Sequence, residues 1–409
     1  MELNEIRERD NAVNEAMPVE IRERDNGVNG NMLNEIRERI NGVNDEMLEL
    51  FLERMQLSGE VAAAKKAQGL PILDKTRERE ILAKMTEKGG TENEAYVYQF
   101  FSTLMNLSKA KQSELMTENS KIIETIGKML EKEEALFPKG GLIACQGVEG
   151  ANSQEACDRM FPHGNILYVS SFEAVFQAVQ SGLCKFGVLP IENSSNGSVR
   201  AVYSLLQKYD FYVVRSTRLW IHHTLLVKPG TKLSDIKTIY SHQQAIGQCS
   251  KYLDQLKGVN VVPCANTAIA AKNVSEAADK NCAAIASKRC AELYGLEVLD
   301  ESIQDSENNY TRFICVSKDP LMYEGANHIS MIVSCANTPG SLYEMLSKPA
   351  TLGINMIKLE SCPIPGRNFE FVFFVELEAS VKEPGVPAML ADLERSCPEV
   401  WFLGNYAEV

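Results

Sequence analysis

The 409-residue sequence predicts a multi-domain protein with an all-α first part, an α/β middle and an α+β close. Three observations predict it. Before about position 135, apolar residues recur at helical spacing with no strand-like run. From Leu142 onward, short apolar runs alternate with helical stretches. The final stretch then reads strand, helix, strand, strand, helix, strand.

The chain opens on three near-copies of one phrase, starting at Glu5, Glu20 and Glu35. Only the third continues an apolar stripe, through Ile36, Ile40, Val43, Met47, Leu50 and Leu57. Pro18, Gly27 and Gly30 are expected to break the earlier copies, so residues 1–31 read as a duplicated, poorly ordered tail. A first helix is expected over about 32–67, a second over 75–88, and a third from Thr91 to about Glu134, with Glu94 placed for a capping box. These set a helical domain at 32–135.

After Phe137-Pro-Lys-Gly-Gly come the runs LIACQG, ILYVS and FGVLPIE, each followed or preceded by a helical segment. A second group follows in HHTLLVK, TIYSH, VNVVPC, CAAIAS and FICVS. The alternation predicts layered α/β structure with parallel strands over 141–319. After a linker at 320–327, the element order over 327–409 is that of a ferredoxin-like unit.

Composition narrows the class. Hydrophobic residues make up 44% and charged residues 24%, as in a globular protein, and the formal charge of −13 argues against a nucleic-acid partner. The start has no apolar core of a secretory signal, and Phe369–Leu377, the most apolar run, is too short for a bilayer. A cytoplasmic location without a membrane partner is the expectation. Eleven cysteines with no C-x-x-C spacing give neither a disulfide framework nor a zinc site, so neither metal nor cofactor is implied.

The helical part carries Arg37, Arg54, Lys65, Asp74, Arg77, Glu78, Ser108 and Gln112. Taken singly, each is a solvated helix face. Arg37 and Arg54 are too far apart on one helix to clasp one small molecule, so a site using both needs a second chain or a folded-back helix. Together, in order and spacing, they resemble the active-site set of the all-helical chorismate mutases, which form intertwined dimers. The resemblance implies a homo-oligomer, at least a dimer. It implies that Arg37 of one chain and Arg54 of the other pair with the two carboxylates of chorismate. Lys65 and Gln112 would face the breaking ether oxygen, and Glu78 and Asp74 the ring hydroxyl, with Arg77 and Ser108 in support. A pericyclic rearrangement needs no nucleophile, only a held shape and stabilised charge.

In the middle part, PIENSSNGS, YSHQQAIGQC and NNYTRF each abut a predicted strand edge, where open α/β sheets bind ligands. His222, His223 and His242 read as structural, because no triad or metal-ligand spacing accompanies them. Gly147-Val-Glu-Gly150 reads as a strand-to-helix turn. Together these phrases resemble prephenate dehydratase. The resemblance puts the catalytic hydroxyl on Thr311 and substrate contacts on Glu192, Asn193, Ser241, Gln248 and Thr267. Val148 stands where the family usually has proline. A desolvated threonine hydroxyl can donate to departing hydroxide.

In the last part, Gly340-Ser341-Leu342 ends a strand and opens a helix, and Glu360-Ser361-Cys362-Pro363 ends another strand. Both resemble the phenylalanine-binding motifs of the ACT domain in bifunctional chorismate mutase–prephenate dehydratases, with Cys362 replacing arginine. The resemblance therefore implies chorismate and prephenate as substrates, phenylpyruvate as product and phenylalanine as effector. An arogenate-preferring dehydratase and a non-catalytic amino-acid sensor are the alternatives.

Overall fold

The computed structural model describes residues 19–70, 72, 74–114, 120–363 and 371–409. The chain falls into two compact units, Met1–Met116 and Thr117–Val409.

Among its described residues the first unit has helices joined by short turns and no strand. One 50-residue helix spans Val19–Gln68, followed by Lys75–Gly89 and Glu94–Glu114. The expected break at Gly27 and Gly30 does not occur: the helix runs through both, so the second repeat copy is continuous with the third. An interior glycine costs only about 1 kcal/mol relative to alanine, which weakens a helix without stopping it. Pro18 and the first copy lie outside the described residues. Asp74 caps the second helix, its carboxylate accepting from Arg77 N at 3.0 Å. The third helix starts at Glu94 rather than Thr91.

That third helix also ends earlier than the spacing predicts. Lys121–Glu131 is a separate helix, capped by Ser120, whose hydroxyl accepts from Ile123 N at 3.2 Å. Its buried face of Ile122, Ile126 and Met129 packs with Met331, Leu377 and Leu390. Ser120 Oγ also donates to Glu394. This helix therefore belongs to the second unit, and the division falls at 116/117 instead of near 135.

The second unit is built on two sheets. The strands are β1 (Gly140–Gln146), β2 (His163–Val169), β3 (Phe186–Asn193), β4 (Gly197–Ser198), β5 (Tyr212–Trp220), β6 (Thr224–Val227), β7 (Thr238–His242), β8 (Asn260–Cys264), β9 (Cys282–Ala286), β10 (Glu297–Asp300), β11 (Tyr310–Ser317), β12 (His328–Ser334), β13 (Asn355–Pro363), β14 (Phe371–Glu378) and β15 (Val400–Glu408). One sheet has the order β13-β14-β12-β15-β5-β11-β3-β1-β2, with β4 paired to β3; the other has the order β10-β6-β9-β7-β8. Parallel pairing is confined to parts of each: β2-β1-β3 and the short β15-β5 contact in the first, β8-β7-β9 in the second. β11 runs antiparallel to both β3 and β5, so the α/β part is mixed and not simply parallel.

The last four strands show the order β13-β14-β12-β15 with antiparallel pairing throughout, the ferredoxin-like arrangement. They are not a detached unit. β15 pairs with β5 through Ala407↔Arg215 and Glu408↔Ser216, joining the C-terminal sheet to the α/β sheet. Gly404 makes the approach possible. Its φ is 137°, and a Cβ there would meet Val213 O at 2.3 Å.

Candidate functional site

In the second unit a cavity of about 250 Å³ is lined from both sheets. Gln146, Pro190, Asn193, Thr311 and Phe313 come from the large sheet and His242 from the small one, with Gln244, Gln248 and Thr267 from the helices that follow β7 and β8. Thr311 and Asn193 face each other because β11 and β3 pair antiparallel in the register Thr311↔Asn193. The Asn193 amide nitrogen donates to Thr311 Oγ1 at 3.0 Å and to Tyr310 O at 3.2 Å. Its amide oxygen accepts from Ser195 N and Asn196 N, both at 3.1 Å. Backbone N–H groups cannot accept and a carbonyl cannot donate, so the amide has one orientation.

The same logic orients Gln248. Asn309 Nδ2 donates to Ile221 O at 3.3 Å and to Gln248 Oε1 at 3.0 Å. Gln248 Oε1 thus accepts, and it also faces His223 Nε2 at 2.8 Å, so His223 carries its proton there. Burial pushes the His223 imidazole below its ordinary value, keeping it neutral. Gln248 Nε2 is left buried without a partner among the described residues, a donor held for something else.

Thr267 opens the helix Thr267–Glu276, capped by Asn266, whose side chain accepts from Ile269 N at 2.7 Å. Asn152 and Ser153 open the helix Asn152–Met160 on the other side of the cavity. Gly147, with φ of 118°, makes the tight turn from β1 and lines the same space. Its N–H donates to Val169 O at 3.0 Å. No Arg, Lys, Asp or Glu appears among the lining residues.

Two residues assigned to substrate contact lie elsewhere. Ser241 is fully buried, and its hydroxyl donates to Ile285 O at 2.7 Å, bracing β7 against β9. Glu192, one residue along β3 from Asn193, points to the opposite face. There it pairs with Lys358 at 3.2 Å and Arg312 at 3.6 Å. Side chains alternate across a strand, so Asn193 in the cavity requires Glu192 out of it. His223, read from the sequence as structural, lies in the cavity lining, and the spacing missed Gln244, Asn266 and Asn309; the amide-rich texture of QQAIGQ and NNY was the signal for Gln244 and Asn309, and Asn266 had none.

Arg312 repeats the alternation on β11. It is 3% exposed and doubly bonded to Glu376 of β14, with one contact at 2.7 Å. Burial alone would lower its guanidinium, yet the neighbouring Tyr406 and Glu376 hold it above its ordinary value. Lys358 of β13 donates to Ser198 Oγ at 2.6 Å, and Ser198 donates to Glu360. Glu360 is thereby tied to the β3–β4 hairpin. Cys362 packs against the core that contains Val202, Tyr203 and Phe374. Gly340, with φ of 87°, precedes the helix Ser341–Thr351, and Thr338 and Ser341 share a 2.6 Å hydroxyl contact. Leu342 is exposed, and Ser361 and Pro363 sit on the outward-facing positions of β13.

In the first unit Arg54 Nη1 donates to Ser108 Oγ at 3.3 Å. Burial draws the Arg54 guanidinium below its ordinary value. Ser108 and Gln112 are both more than nine-tenths buried, and the Gln112 amide oxygen has no partner among the described residues. Glu78 pairs with Lys109 at 3.3 Å. Lys65, three turns beyond Arg54 on the same face, donates to Ile72 O. Asp74 is occupied as a helix cap, and Arg77 turns outward to Glu80 at 3.3 Å. Arg37 is exposed on the same helix as Arg54, about 26 Å away and ~100° around the axis by helix geometry. One chain therefore does not bring Arg37 to Arg54. Arg22 lies on this continuous helix as well, so its copy does reach the helix that carries Arg54.

Comparison with known proteins places both units. The family model for prephenate dehydratase matches residues 143–321. That for type II chorismate mutase matches 36–113 and begins within the third repeat copy. A relative from Arabidopsis thaliana, "Arogenate dehydratase/prephenate dehydratase 1, chloroplastic", is 36% identical over 280 residues, 64% of this chain and 71% of its own length. The "Bifunctional chorismate mutase/prephenate dehydratase" of Stutzerimonas stutzeri is 35% identical over 266 residues, 64% of this chain and 72% of its own. The solved prephenate dehydratase of Arthrobacter aurescens in complex with L-Phe aligns with a TM-score of 0.60 at 29% identity, covering 65% of this chain and 90% of that one. The chain belongs to the prephenate dehydratase family and carries a type II chorismate mutase domain ahead of its dehydratase domain.

Proposed function

We propose that the protein rearranges chorismate to prephenate in its helical unit and converts prephenate to phenylpyruvate in its second unit. The observation that carries this reading is the Thr311 hydroxyl, bonded to Asn193 in a cavity lined by both sheets. Loss of carbon dioxide supplies an electron pair to the ring, which aromatises as hydroxide departs. Thr311 hydrogen-bonds the departing oxygen and gives it a proton, and solvent restores the threonine. Water, carbon dioxide and phenylpyruvate balance the equation with one proton taken up.

Prephenate is a dianion, and no Arg or Lys lines the cavity among the described residues. The N-termini of the helices Asn152–Met160 and Thr267–Glu276, with Gln248 Nε2, supply N–H donors in place of arginine. Arogenate carries an ammonium where prephenate has a ketone. Product analysis with both substrates separates the two readings.

In the helical unit, Arg54, Lys65, Glu78, Ser108 and Gln112 would hold chorismate, with Arg37 supplied by a second copy. The apolar stripe of the long helix supports such a dimer. Ile40 is 52% exposed, Val43 55% and Leu50 66%, areas a stable chain covers. Phenylalanine at the Gly340–Leu342 and Glu360–Pro363 segments of an ACT domain would regulate the dehydratase. Eleven free thiols suit a reducing, cytoplasmic setting.

The test is chorismate supplied to the purified chain, with prephenate and phenylpyruvate followed over time. Thr311→Ala should stop at prephenate, and Arg54→Ala should abolish its formation while leaving added prephenate consumed. Phenylpyruvate formed by the Thr311→Ala chain at the native rate would overturn the dehydratase assignment.

A further inference from the structure

We propose that Asn193 is a positioning residue that makes Thr311 a hydrogen-bond donor to the substrate; the inference rests on the dehydratase reading above. A threonine hydroxyl has one proton and can point it either way. Were its neighbour an acceptor, the proton would turn to that neighbour and away from the cavity. The neighbour here is the Nδ2 of Asn193 at 3.0 Å, which only donates. Its identity as nitrogen is imposed by backbone groups: Ser195 N and Asn196 N on the oxygen end, Tyr310 O beside the nitrogen end. Gln244 Nε2 adds a further donor to that oxygen at 3.4 Å.

The arrangement does two things. It occupies a lone pair of Thr311 Oγ1, so the hydroxyl proton is free for the cavity. It also leaves an N–H aimed at that oxygen as it gains negative charge on passing its proton to the departing hydroxide. Asn193 is 7% exposed and the network is fixed before substrate arrives, so little reorganisation is needed at the moment of reaction.

Asn193→Asp is the discriminating change. Aspartate keeps the acceptor for Ser195 N and Asn196 N and replaces the donor with a second acceptor, so Thr311 turns its proton inward. In the full chain, kcat for prephenate should fall about 100-fold, the scale for losing one such donor, with KM changed less than about threefold. Thr311→Ala should lose a similar factor. Because both changes disable one device, the double variant should fall no more than about threefold below Thr311→Ala. Chorismate mutase activity and the unfolding midpoint of the same chain report on folding. If Asn193→Asp does not fold, Asn193→Ala carries the same comparison. The inference is overturned if kcat survives, if only KM rises, or if the double variant loses the product of the two factors. If Thr311→Ala itself leaves dehydration intact, the reading of the cavity fails first, and the two failures are told apart by that variant alone.

Discussion

Glu376→Gln tests how the two halves of the second unit are held together. Arg312 and Glu376 are 3% and 4% exposed and meet through two hydrogen bonds. Removing one partner of such a pair leaves a charge buried without compensation, at a cost of about 3–5 kcal/mol. Glu192 at 3.6 Å and Glu408 at 3.9 Å remain beside the guanidinium, which places this site at the lower end, about 3 kcal/mol. At about 2–4 °C per kcal/mol for a domain of this size, the midpoint should fall by ~6–12 °C. Urea unfolding followed by circular dichroism measures the loss directly, and an unchanged slope against denaturant would show that the denatured state is unaltered.

The companion double variant, Arg312→Met with Glu376→Leu, separates the charge from the packing. Replacing both members by apolar side chains of similar volume is often neutral or better. It should recover most of the stability that Glu376→Gln loses. A loss below about 1 kcal/mol for Glu376→Gln would refute the argument, because it would mean the guanidinium finds water or another carboxylate. A double variant as unstable as the single would refute it in a second way, by showing that shape and not charge holds the strands.

Three further outcomes follow from the same geometry. His223 is held below its ordinary value by burial, so between the folded and unfolded values the unfolded chain binds a proton that the folded chain does not. Stability should be full above about pH 6.5 and fall as the pH drops below it; His223→Gln should flatten that slope in thermal melts at pH 7.5 and 5.5. Ile40→Glu with Val43→Glu places charges on the exposed stripe of the long helix and should dissociate the proposed dimer in sedimentation, reducing mutase activity more than tenfold while dehydration persists. Lys358→Met removes the bond to Ser198 and the pair with Glu192, and should blunt the proposed inhibition by phenylalanine in a titration of dehydration while the uninhibited rate stays within about threefold.

Much of the architecture was legible because it rests on local periodicity. The alternating runs after Leu142 did become strands and helices, and the closing six elements did form the ferredoxin-like order. Boundaries failed where a local signal was weak against its competitors. Gly27 and Gly30 looked like breaks but cost too little to stop a helix. Ser120 was the overlooked signal: a capping serine before an apolar face of Ile122, Ile126 and Met129, which packs far along the chain against Leu390. In the cavity, Thr311, Asn193, Gln248 and Thr267 were within reach of the resemblance to prephenate dehydratase. The places of His223, Asn309 and Asn266 were not, because amide networks depend on which strands become neighbours, and that is set by tertiary register.

The alternation of β3 and β11 explains how one segment can serve two purposes. Successive side chains leave a strand on opposite faces, so a catalytic residue is always flanked by residues committed to the other side. Asn193 and Thr311 take the cavity face. Glu192 and Arg312, their immediate neighbours, take the face that meets β13 and β14. Ser198, on the short strand paired to β3, joins the same contact through Lys358 and Glu360. A shift of β13 or β14 by a fraction of an ångström would load ion pairs whose other ends lie one residue from Asn193 and Thr311. Buried pairs of this kind resist gradual deformation and favour one arrangement or another. Coupling between the C-terminal unit and the cavity then needs no long relay: it requires only that Thr311 and Arg312 share a strand, and that each be fastened on its own side.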